Sequence, residues 1–429
     1  MEATHVDLYQ LTSLVPHFDA GLAHAPVTMS FFSRRVPSVR PYLVWCGLRK
    51  ILAFLDQARF TEDRIETLLR HPMLGSALEA RPALRDALKD WRFEGTLRTP
   101  PEGTPIVYRA MRDIDGVRPT AGCPYLQVDC DVLTAKLIET PLLSIINHMT
   151  MVASKARVVA EAAKPRAVLE FGQRRTHPEA AVDAAYAAWV GGVAATSNVE
   201  AHHRHGVPVA GTMDHFAIQA WERPGVPRRE SEAAYFRAFF EAWPDSSWLL
   251  VDTYDTFEGI RSAVEATQGR LAGVRLDSQI TRENVRKARQ LLDDLGAPGA
   301  KIAVSGGMDE HRIRVLGDAP VDVFGIGERI VTSPDAPVGV GAVGKLALID
   351  GRPTMKLSKG SPKATLPGRL QVFRRSDHDL VALADEDHAG RPLLRPPTED
   401  LVREDLAPDH DVRLSEALQA LVRRCVHAE

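Results

Sequence analysis

The sequence predicts an α/β protein with an irregular TIM-like α/β barrel and a second α+β domain built from both chain termini. Between residues 167 and 330, short apolar runs end in Gly, Ser, Asp or Thr, and most are followed by a helical stretch. Seven such runs occur, which suits a barrel better than an open sheet. The segments on either side differ, because helical periodicity precedes this region and antiparallel strand patterns follow it.

The chain length sets the domain organisation. A chain of 429 residues exceeds one ordinary hydrophobic core. We expect an N-terminal α+β domain at 1–135 and a barrel domain carrying the active site at 136–344. The strands and helix of 345–429 are too few for a comfortable domain of their own, so we expect them to pack with the N-terminal segment and complete its domain.

The two terminal regions carry distinct local signals. Residues 1–100 are mainly helical by periodicity, with a strand at 27–36. The long apolar segment 133–164 predicts two helices broken near Pro141, since proline interrupts a helix. Near the C-terminus, antiparallel strands are predicted around turns at Asp350-Gly351 and Ser376-Asp377, followed by an amphipathic terminal helix.

The seven runs define the predicted barrel strands. They are short and continuously apolar, as in a parallel sheet buried on both faces. In chain order they are AVLEFG (167–172), GVAATSN (192–198), PVAGT (208–212), SWLLVDTYD (247–255), LAGVRLDS (271–278), KIAVSGG (301–307) and VDVFGIG (321–327).

Composition limits the partners and the compartment. The net charge of −3 provides no overall basic field for nucleic acid or an anionic membrane. The four cysteines form no CxxC pair, which fits a reducing cytoplasm rather than a disulfide framework. The N-terminal sequence lacks the pattern of a signal peptide, and no apolar run reaches the length of about 18 residues that spans a membrane.

Polar residues cluster where the predicted strands end. The carboxyl ends of parallel barrel strands form the active face, so these side chains predict a site there. They are, in chain order, Arg174, Arg175, Thr196, Ser197, Asn198, Thr212, His215, Asp252, Thr253, Arg275, Asp277, Ser278, Ser305, Gly306, Gly307, Gly325 and Gly327.

The last two strand ends favour a phosphate ligand. Ser305, Gly306 and Gly307 precede one predicted helix, and Gly325 and Gly327 precede another. Helix N-termini after glycine turns bind phosphate through free N–H groups, although the glycines also suit tight turns alone. Arginines on the same face add positive charge, so we expect a phosphorylated, anionic ligand.

Three further patterns allow alternatives. GVGAVGKL (339–346) matches GxGxxG, but Leu346 stands where a P-loop needs Ser or Thr, and the continuation reads as strand. HHRH (202–205) lacks partner ligands at metal-site spacing, and Arg204 would repel a cation, so a solvated loop is the expectation. His215, taken alone, is a core residue, a metal ligand or a group that does chemistry.

Taken in order, these motifs resemble the nicotinate phosphoribosyltransferases of the barrel type (type II). The likeness is weak only over about 37–130 and the last 50 residues. The matching segments are DLYQLT, FFSRRVP, ETPLLSIIN, TMVASKAR, EFGQRR, ATSNVEA, PVAGTMDHF, LLVDTYDT, GVRLDS, SGGMDE, FGIGERIVTS, KLALIDGRPTMKLS and ATLPGRLQVFR.

The resemblance implies a reaction of nicotinate with 5-phosphoribosyl-1-pyrophosphate that yields nicotinate mononucleotide and pyrophosphate, the first step of NAD salvage from nicotinate. It implies ATP as co-substrate, hydrolysed through a phosphohistidine at His215, and hence a ligase classification. Mg²⁺ accompanies the pyrophosphate or ATP, without a dedicated protein metal site. A homodimer with shared active sites is also implied, in which Tyr9 of one subunit stacks on the pyridine ring opposite Phe171 of the other.

The resemblance also implies roles for individual residues. His215, Arg275, Asp277 and Asp252 are expected to be catalytic, with the two aspartates on the ribose hydroxyls or the metal. Ser197 is neutral where nicotinamide-using relatives carry an acid, which favours nicotinate. The other expected substrate contacts are Tyr9, Phe171, Arg174, Arg175, Thr212 and Ser278. The expected phosphate contacts are Ser305, Gly306, Gly307, Gly325, Gly327 and Thr332.

Some positions depart from the family pattern. Phe216 replaces a common Ser, Gln279 replaces a Gly, and Ala195 stands where a Gly is frequent. These changes keep two alternatives open. One is a related phosphoribosyltransferase for another aromatic acid or amide, and the other is a non-catalytic homologue that binds a phosphoribosyl ligand.

Overall fold

The computed structural model describes residues 2–38, 40–332, 339–361 and 363–428. The chain divides into two compact units. The terminal unit comprises Met1–Ser154 and Pro337–Glu429, and the barrel unit comprises Lys155–Ala336. No described helix is both long enough and apolar enough to cross a bilayer.

The helices occur in both units, and short 3₁₀ turns lie at Gln173–Arg175 and Pro244–Ser246. The α-helices are α1 (Leu8–Asp19), α2 (Leu48–Gln57), α3 (Glu62–Leu69), α4 (Leu74–Glu79), α5 (Pro82–Asp90), α6 (Val132–Ala163), α7 (Pro178–Gly191), α8 (Val199–His205), α9 (His215–Gln219), α10 (Arg228–Ala242), α11 (Thr256–Thr267), α12 (Arg282–Asp294), α13 (Glu310–Leu316), α14 (Glu328–Val331) and α15 (Glu416–His427).

The strands are β1 (Pro26–Ser33), β2 (Leu43–Val44), β3 (Thr96–Arg98), β4 (Pro105–Ile106), β5 (Tyr108–Ala110), β6 (Thr120–Gly122), β7 (Leu126–Asp131), β8 (Ala167–Glu170), β9 (Ala195–Thr196), β10 (Trp248–Leu250), β11 (Gly273–Leu276), β12 (Lys301–Val304), β13 (Val323–Ile326), β14 (Ala342–Ile349), β15 (Arg352–Pro353), β16 (Leu370–Arg374), β17 (His378–Leu383), β18 (Arg391–Pro392) and β19 (Asp411–Leu414).

The terminal unit contains two larger sheets. The first combines strands from both ends of the chain, and the second is built from C-terminal strands. Their strand orders are β15-β14-β1-β7-β3 and β18-β16-β17-β19. Strand β1 pairs antiparallel with β14 on one side and with β7 on the other. The predicted turn at Asp350-Gly351 is confirmed, because both residues have positive φ (48° and 73°), as a type I′ hairpin requires. GVGAVGKL runs into β14 and not into a helix, as its continuation predicts.

The predicted break near Pro141 is wrong. Helix α6 continues through this proline for 32 residues. A proline inside a helix removes one backbone hydrogen bond and clashes with the preceding turn. Buried apolar side chains on both sides of it, including Ile138, Leu142 and Ile146, hold the helix by tertiary packing.

The barrel unit is organised around one parallel sheet of the order β10-β11-β12-β13-β8-β9. The irregular α/β barrel class is therefore confirmed, with six of the seven predicted strands in the sheet. The outward-facing residues are buried, which leaves the core between the sheet and its helices. They include Val168, Leu249, Val274, Ile302 and Phe324.

The remaining predicted strand, PVAGT at 208–212, is not a strand. It forms one bridge between Val209 and Thr196 beside β9, and the Thr212 hydroxyl donates to the carbonyl of Trp248 at β10 over 2.9 Å. This segment joins the two edges of the sheet without a ladder. Pro208 has no N–H to donate and Gly211 weakens an extended run, which explains the missing strand.

Candidate active site

The carboxyl ends of the barrel strands bring many of the predicted residues to one cavity of about 530 Å³. We call it the active-site cavity. Its lining is Phe171, Gln173, Arg174, Ser197, Gly211, Thr212, Met213, Asp214, His215, Phe216, Arg275, Asp277 and Ser305. The remaining predicted barrel residues lie outside this lining, and they are Arg175, Thr196, Asn198, Asp252, Thr253, Ser278, Gly306, Gly307, Gly325, Gly327 and Thr332.

His215 is the first residue of α9 and faces the active-site cavity. Its Nδ1 lies 3.1 Å from the hydroxyl of Thr253. The neighbouring Asp214 caps the helix instead, because its Oδ1 accepts from the amide of Ala217 over 3.0 Å. With Nδ1 engaged by a hydroxyl, Nε2 is the ring nitrogen left for chemistry.

The Asp252 carboxylate accepts hydrogen bonds from the two residues that follow β11. Its Oδ2 accepts from the amides of Asp277 and Ser278 over 2.8 and 2.7 Å, and from the Ser278 hydroxyl over 2.6 Å. Its Oδ1 is buried and has no hydrogen-bond partner among the described residues. An unpaired buried carboxylate oxygen is costly, so it marks a position where a ligand group is expected.

Asp277 and the first glycine turn form a tight unit. The Ser305 hydroxyl donates to Asp277 Oδ1 over 2.5 Å. Gly306 has φ of 81°, and a Cβ there would lie 2.0 Å from the Asp277 carbonyl, so only glycine fits. The carbonyls of Gly306 and Gly307 accept from Arg312, which places an additional exposed guanidinium at this turn.

Arg275 lies on the wall of the active-site cavity. Its Nη2 donates to the carbonyl of Met213 over 2.9 Å, and its buried Nε has no partner in the described part of the chain. Burial lowers the pKa of Arg275 from its ordinary value, although the nearby Asp277 and Asp252 raise it. The guanidinium stays charged and has donor capacity for an anion.

Phe171 depends on two glycines of the last strand end. A Cβ at Gly325 would lie 2.4 Å from the Phe171 ring, and a Cβ at Gly327 would lie 2.6 Å from its carbonyl. Gly325 lies within β13, and Gly327 precedes the four-residue helix α14. These glycines therefore set the position of the aromatic ring.

Sequence reasoning missed Glu170, the last residue of β8. Its Oε2 accepts from the Thr196 hydroxyl over 2.6 Å, and its Oε1 accepts from the Gly172 amide. Burial raises the pKa of this carboxyl above its ordinary value. The glutamate stands within EFGQRR, but only the fold brings Thr196 to it, so no local signal marked it.

Two other predicted contacts, Arg175 and Thr332, are exposed. Arg175 Nε is 3.8 Å from Glu328 in an exposed pair, and the Thr332 hydroxyl donates to the carbonyl of Glu328 at the end of α14. The HHRH segment is a helix and not a loop, because the Asn198 side chain caps α8 at the amide of Ala201.

Tyr9 belongs to the terminal unit and has a half-exposed side chain, 54% accessible. The Lys136 ammonium lies 5.5 Å from the centre of its ring. Burial raises the pKa of Tyr9, and the nearby Glu139 and Asp7 add to this effect. Its stacking role in a partner subunit stays a prediction.

Family models cover most of the chain. Residues 4–147 match the nicotinate phosphoribosyltransferase (NAPRTase) N-terminal domain, and residues 152–336 match the quinolinate phosphoribosyl transferase C-terminal domain. Nicotinate phosphoribosyltransferase pncB1 of Mycobacterium tuberculosis is 38% identical over 391 residues, covering 90% of this chain and 81% of the relative. The Bacillus subtilis nicotinate phosphoribosyltransferase is 33% identical over 411 residues, covering 91% and 78%.

Solved structures agree with this grouping. The human nicotinic acid phosphoribosyltransferase superposes with a TM-score of 0.74 at 25% identity, covering 97% of this chain and 99% of that chain. The nicotinate-nucleotide pyrophosphorylase of Pyrococcus furiosus shares the fold, with a TM-score of 0.69 at 22% identity and coverage of 99% and 95%.

Proposed function

The chain belongs to the nicotinate phosphoribosyltransferase family, and on that premise we propose which residues carry its reaction and how ATP is coupled to it. The reaction joins nicotinate to 5-phosphoribosyl-1-pyrophosphate in the first step of NAD salvage from nicotinate. The N1 lone pair of the pyridine forms a bond to C1 of the ribosyl group. The C1–O bond to pyrophosphate breaks, and pyrophosphate leaves with the electron pair.

One observation carries the residue assignment. His215 begins α9, Arg275 and Asp277 lie at the end of β11, and all three line the same active-site cavity. Asp252 supports that cluster from behind through the amides of Asp277 and Ser278. Because the ring nitrogen of nicotinate is already a nucleophile, the enzyme mainly has to align it and stabilise charge.

We assign the nicotinate carboxylate to Arg275 and the phosphate groups to Arg174. Arg275 lies deeper and has an unpartnered buried nitrogen, whereas Arg174 is exposed on the rim. A guanidinium binds a carboxylate or a phosphate through paired hydrogen bonds. Ser197 lies on the same wall and is uncharged, so it does not repel the carboxylate.

We assign the ribose hydroxyls and Mg²⁺ to Asp252 and Asp277. Mg²⁺ in phosphoryl sites is held by one or two carboxylates together with substrate phosphates, and the unpartnered Oδ1 of Asp252 fits this donor set. When bound, Mg²⁺ would neutralise charge on the departing pyrophosphate. Ser278 fixes the rotamer of Asp252 through its hydroxyl.

We assign ATP coupling to His215. Its Nδ1 contacts the Thr253 hydroxyl, which orients Nε2 as the nitrogen that accepts a phosphoryl group. The bond from Nε2 to phosphorus forms as the bond to ADP breaks, and water later cleaves the phosphohistidine to inorganic phosphate.

Two further features complete the proposal. We propose a homodimer in which Tyr9 of one subunit stacks on the nicotinate ring opposite Phe171 of the other. We also propose a cytoplasmic location, since all four cysteines are free thiols. Chemical crosslinking and sedimentation test the dimer independently of activity.

The decisive experiment measures pyrophosphate release with nicotinate, nicotinamide and quinolinate, each with and without ATP. We expect nicotinate to be the best substrate and ATP to stimulate the reaction. His215→Ala should lose the stimulation and keep basal transfer, because the histidine does not attack the ribose.

His203→Ala is the matched control, since His203 is exposed on α8 and lies outside the active-site lining. It should keep full stimulation by ATP. A His215→Ala enzyme that is still fully stimulated contradicts the assigned role. Turnover of another base without any nicotinate mononucleotide would favour the alternative substrate.

A further inference from the structure

The inside of the barrel sheet contains a cavity of about 340 Å³ beneath the active-site cavity. We call it the lumen. Phe171, Gly211, Thr212 and Arg275 line both cavities, so the two meet at these residues. The full lining is Ala167, Leu169, Phe171, Val209, Ala210, Gly211, Thr212, Ser246, Trp248, Arg275, Ala303, Val304, Val323 and Gly325.

The lumen is open because small residues point inward. In most parallel barrels, layers of bulky branched side chains fill the interior. Here Ala167, Ala303 and Gly325 occupy inward positions. Gly325 cannot be larger, since a Cβ would meet the Phe171 ring. The lumen is therefore open because the inward-facing positions of these strands carry small residues.

The lumen runs along the strands. Ala167 begins β8 and Phe171 directly follows its last residue, so the two differ by four strand steps, or about 13 Å. The inward Leu169 and Val323 remain partly accessible, while the outward Val168 and Phe324 are buried. A cavity of this volume falls within the range of small-molecule sites, about 300–1,000 Å³.

The polarity of the lumen is uneven. Arg275 is the one charged side chain in its described lining, and it lies where the lumen meets the active-site cavity. The other described walls are mainly aliphatic, aromatic or backbone surface. This arrangement suits a ligand with one anionic group at the junction and an apolar body below it.

We propose that this chain binds and converts pyridine-3-carboxylates that carry an apolar substituent at ring position 4 or 5, with the substituent in the lumen. The inference rests on the proposed function for the orientation of the ring. N1 must face the phosphoribosyl donor at the strand ends, and the carboxylate lies on Arg275. The ring atoms away from N1 then point into the lumen.

The same group transfer applies to the substituted acid. Its N1 lone pair bonds to C1 of the ribosyl group, and the pyrophosphate leaves with the electrons of the broken C1–O bond. Substituents at positions 2 and 6 flank N1, so they point toward the phosphoribosyl donor and not into the lumen. The lumen thus predicts a positional rule for accepted substituents.

The test compares four propylnicotinates, substituted at positions 2, 4, 5 and 6, with nicotinate itself. Each buried methylene raises affinity about fourfold. We therefore expect the 4- or 5-isomer to bind on the order of 50-fold more tightly than nicotinate. Calorimetry measures binding, and mass spectrometry identifies the substituted mononucleotide. The 2- and 6-isomers should gain no affinity over nicotinate, because their substituents lie outside the lumen.

A blocked lumen provides the second arm. Ala167→Phe and Val323→Phe fill it at the starts of β8 and β13, and they should weaken binding of the favoured isomer relative to nicotinate by about tenfold or more. Ala194→Phe is the matched control, since Ala194 is exposed next to β9 and outside the lumen lining. It should leave the ratio unchanged.

The outcomes separate the two ideas. If nicotinate is converted but neither the 4- nor the 5-isomer binds, the lumen proposal is overturned. Equal binding ratios in the blocked variants and the control overturn it as well. If nicotinate is not converted, the proposed function fails, and calorimetry of the 4- and 5-isomers still decides whether the lumen holds the substituent.

Discussion

Two arginines, the buried Arg374 in the terminal unit and the partly buried Arg275 in the barrel unit, have opposite surroundings. In the terminal unit, Arg374 pairs with Asp379 through two hydrogen bonds of 2.9 Å each and donates to Glu404 over 2.8 Å. It also donates to the carbonyl of Pro105, and His410 contacts Asp379 over 3.2 Å. All three guanidinium nitrogens are bonded within the protein.

Arg275 in the barrel unit is also near two carboxylates, yet its bonding is incomplete. Among the described residues it donates to the carbonyl of Met213, and its Nε has no partner. The neighbouring Asp252 likewise has one unpartnered oxygen. Burial lowers the pKa of both arginines, but the bonds to Asp379 bring that of Arg374 above its ordinary value.

The difference between Arg374 and Arg275 distinguishes a structural charge from a functional one. A buried guanidinium whose nitrogens are all bonded within the protein, as in Arg374, has no donor left for a ligand and acts on folding. A cluster with free donors and acceptors at a cavity wall has capacity for a ligand and costs stability until a ligand fills it. The mutations below test this distinction, in order of decreasing effect.

The largest effect is expected for Arg374→Gln. Loss of the guanidinium leaves Asp379 buried and unpaired, which costs about 3–5 kcal/mol of unfolding free energy. Urea unfolding measures the loss. In the fraction that remains folded, kcat/KM for nicotinate should be unchanged. A loss below about 1 kcal/mol would show that this cluster is not structural.

Arg275→Gln should have the reverse profile. Removing the arginine partner of the substrate carboxylate costs about 2–5 kcal/mol of binding, or about 30- to 4,000-fold in kcat/KM for nicotinate. The unfolding free energy should change little, because the free protein loses mainly the bond to Met213. Steady-state kinetics and urea unfolding on the same sample measure both. If Arg275→Gln lowered the unfolding free energy as much as Arg374→Gln, the two arginines would not differ in role.

Glu232 extends the comparison to pH. Its side chain is 2% exposed with an unpartnered Oε1, and burial, with Asp255 and Asp252 nearby, raises its pKa to about 7. The folded state therefore binds the proton more tightly than the unfolded state. Stability contributed by this group is complete below about pH 4.5 and is lost as the pH rises to 7.

The corresponding variant is Glu232→Gln. It should be more stable than the parent at pH 8 by about 2–3 kcal/mol and equally stable at pH 4. Thermal or urea unfolding across this range provides the measurement. Parallel stability curves for the two proteins would contradict the raised pKa.

The smallest effect is expected for Gly325→Ala. Its new Cβ would lie 2.4 Å from the Phe171 ring, so the ring must move at a cost of about 1–3 kcal/mol. We expect KM for nicotinate to rise about tenfold with little change in kcat, since the ring contributes to binding rather than to chemistry. Gly299→Ala is the control, because nothing lies within 4 Å of its Cβ. A shift of equal size there would exclude the packing explanation.

The sequence predicts the parts of this molecule that depend on local pattern. The alternation of apolar runs and helices marks the strands, and strand ends in parallel sheets meet on one face, so His215, Arg275 and Asp277 were expected together. The prediction of a strand at 208–212 is wrong because an apolar pattern does not show that Pro208 lacks an N–H to donate to a neighbouring strand. The break at Pro141 failed because packing outweighs local propensity.

Other features needed the three-dimensional structure. Thr253, which follows β10, contacts His215 of α9. Thr196 of β9 donates to Glu170 of β8. The lumen depends on which alternate residues face inward, and this register is set by strand pairing rather than by composition. Atoms without a hydrogen-bond partner, such as Arg275 Nε, can be identified only when the positions of all neighbouring atoms are known.

A crystal structure with nicotinate mononucleotide would show directly whether Arg275 and Asp252 bind the product. We predict that the pyridine carboxylate lies within about 3 Å of the Arg275 guanidinium and that a ribose hydroxyl or a metal ion contacts the Asp252 carboxylate. The bonds of the Arg374 cluster should remain as they are without ligand. A nucleotide bound elsewhere, with Arg275 and Asp252 still lacking a ligand contact, would contradict the account.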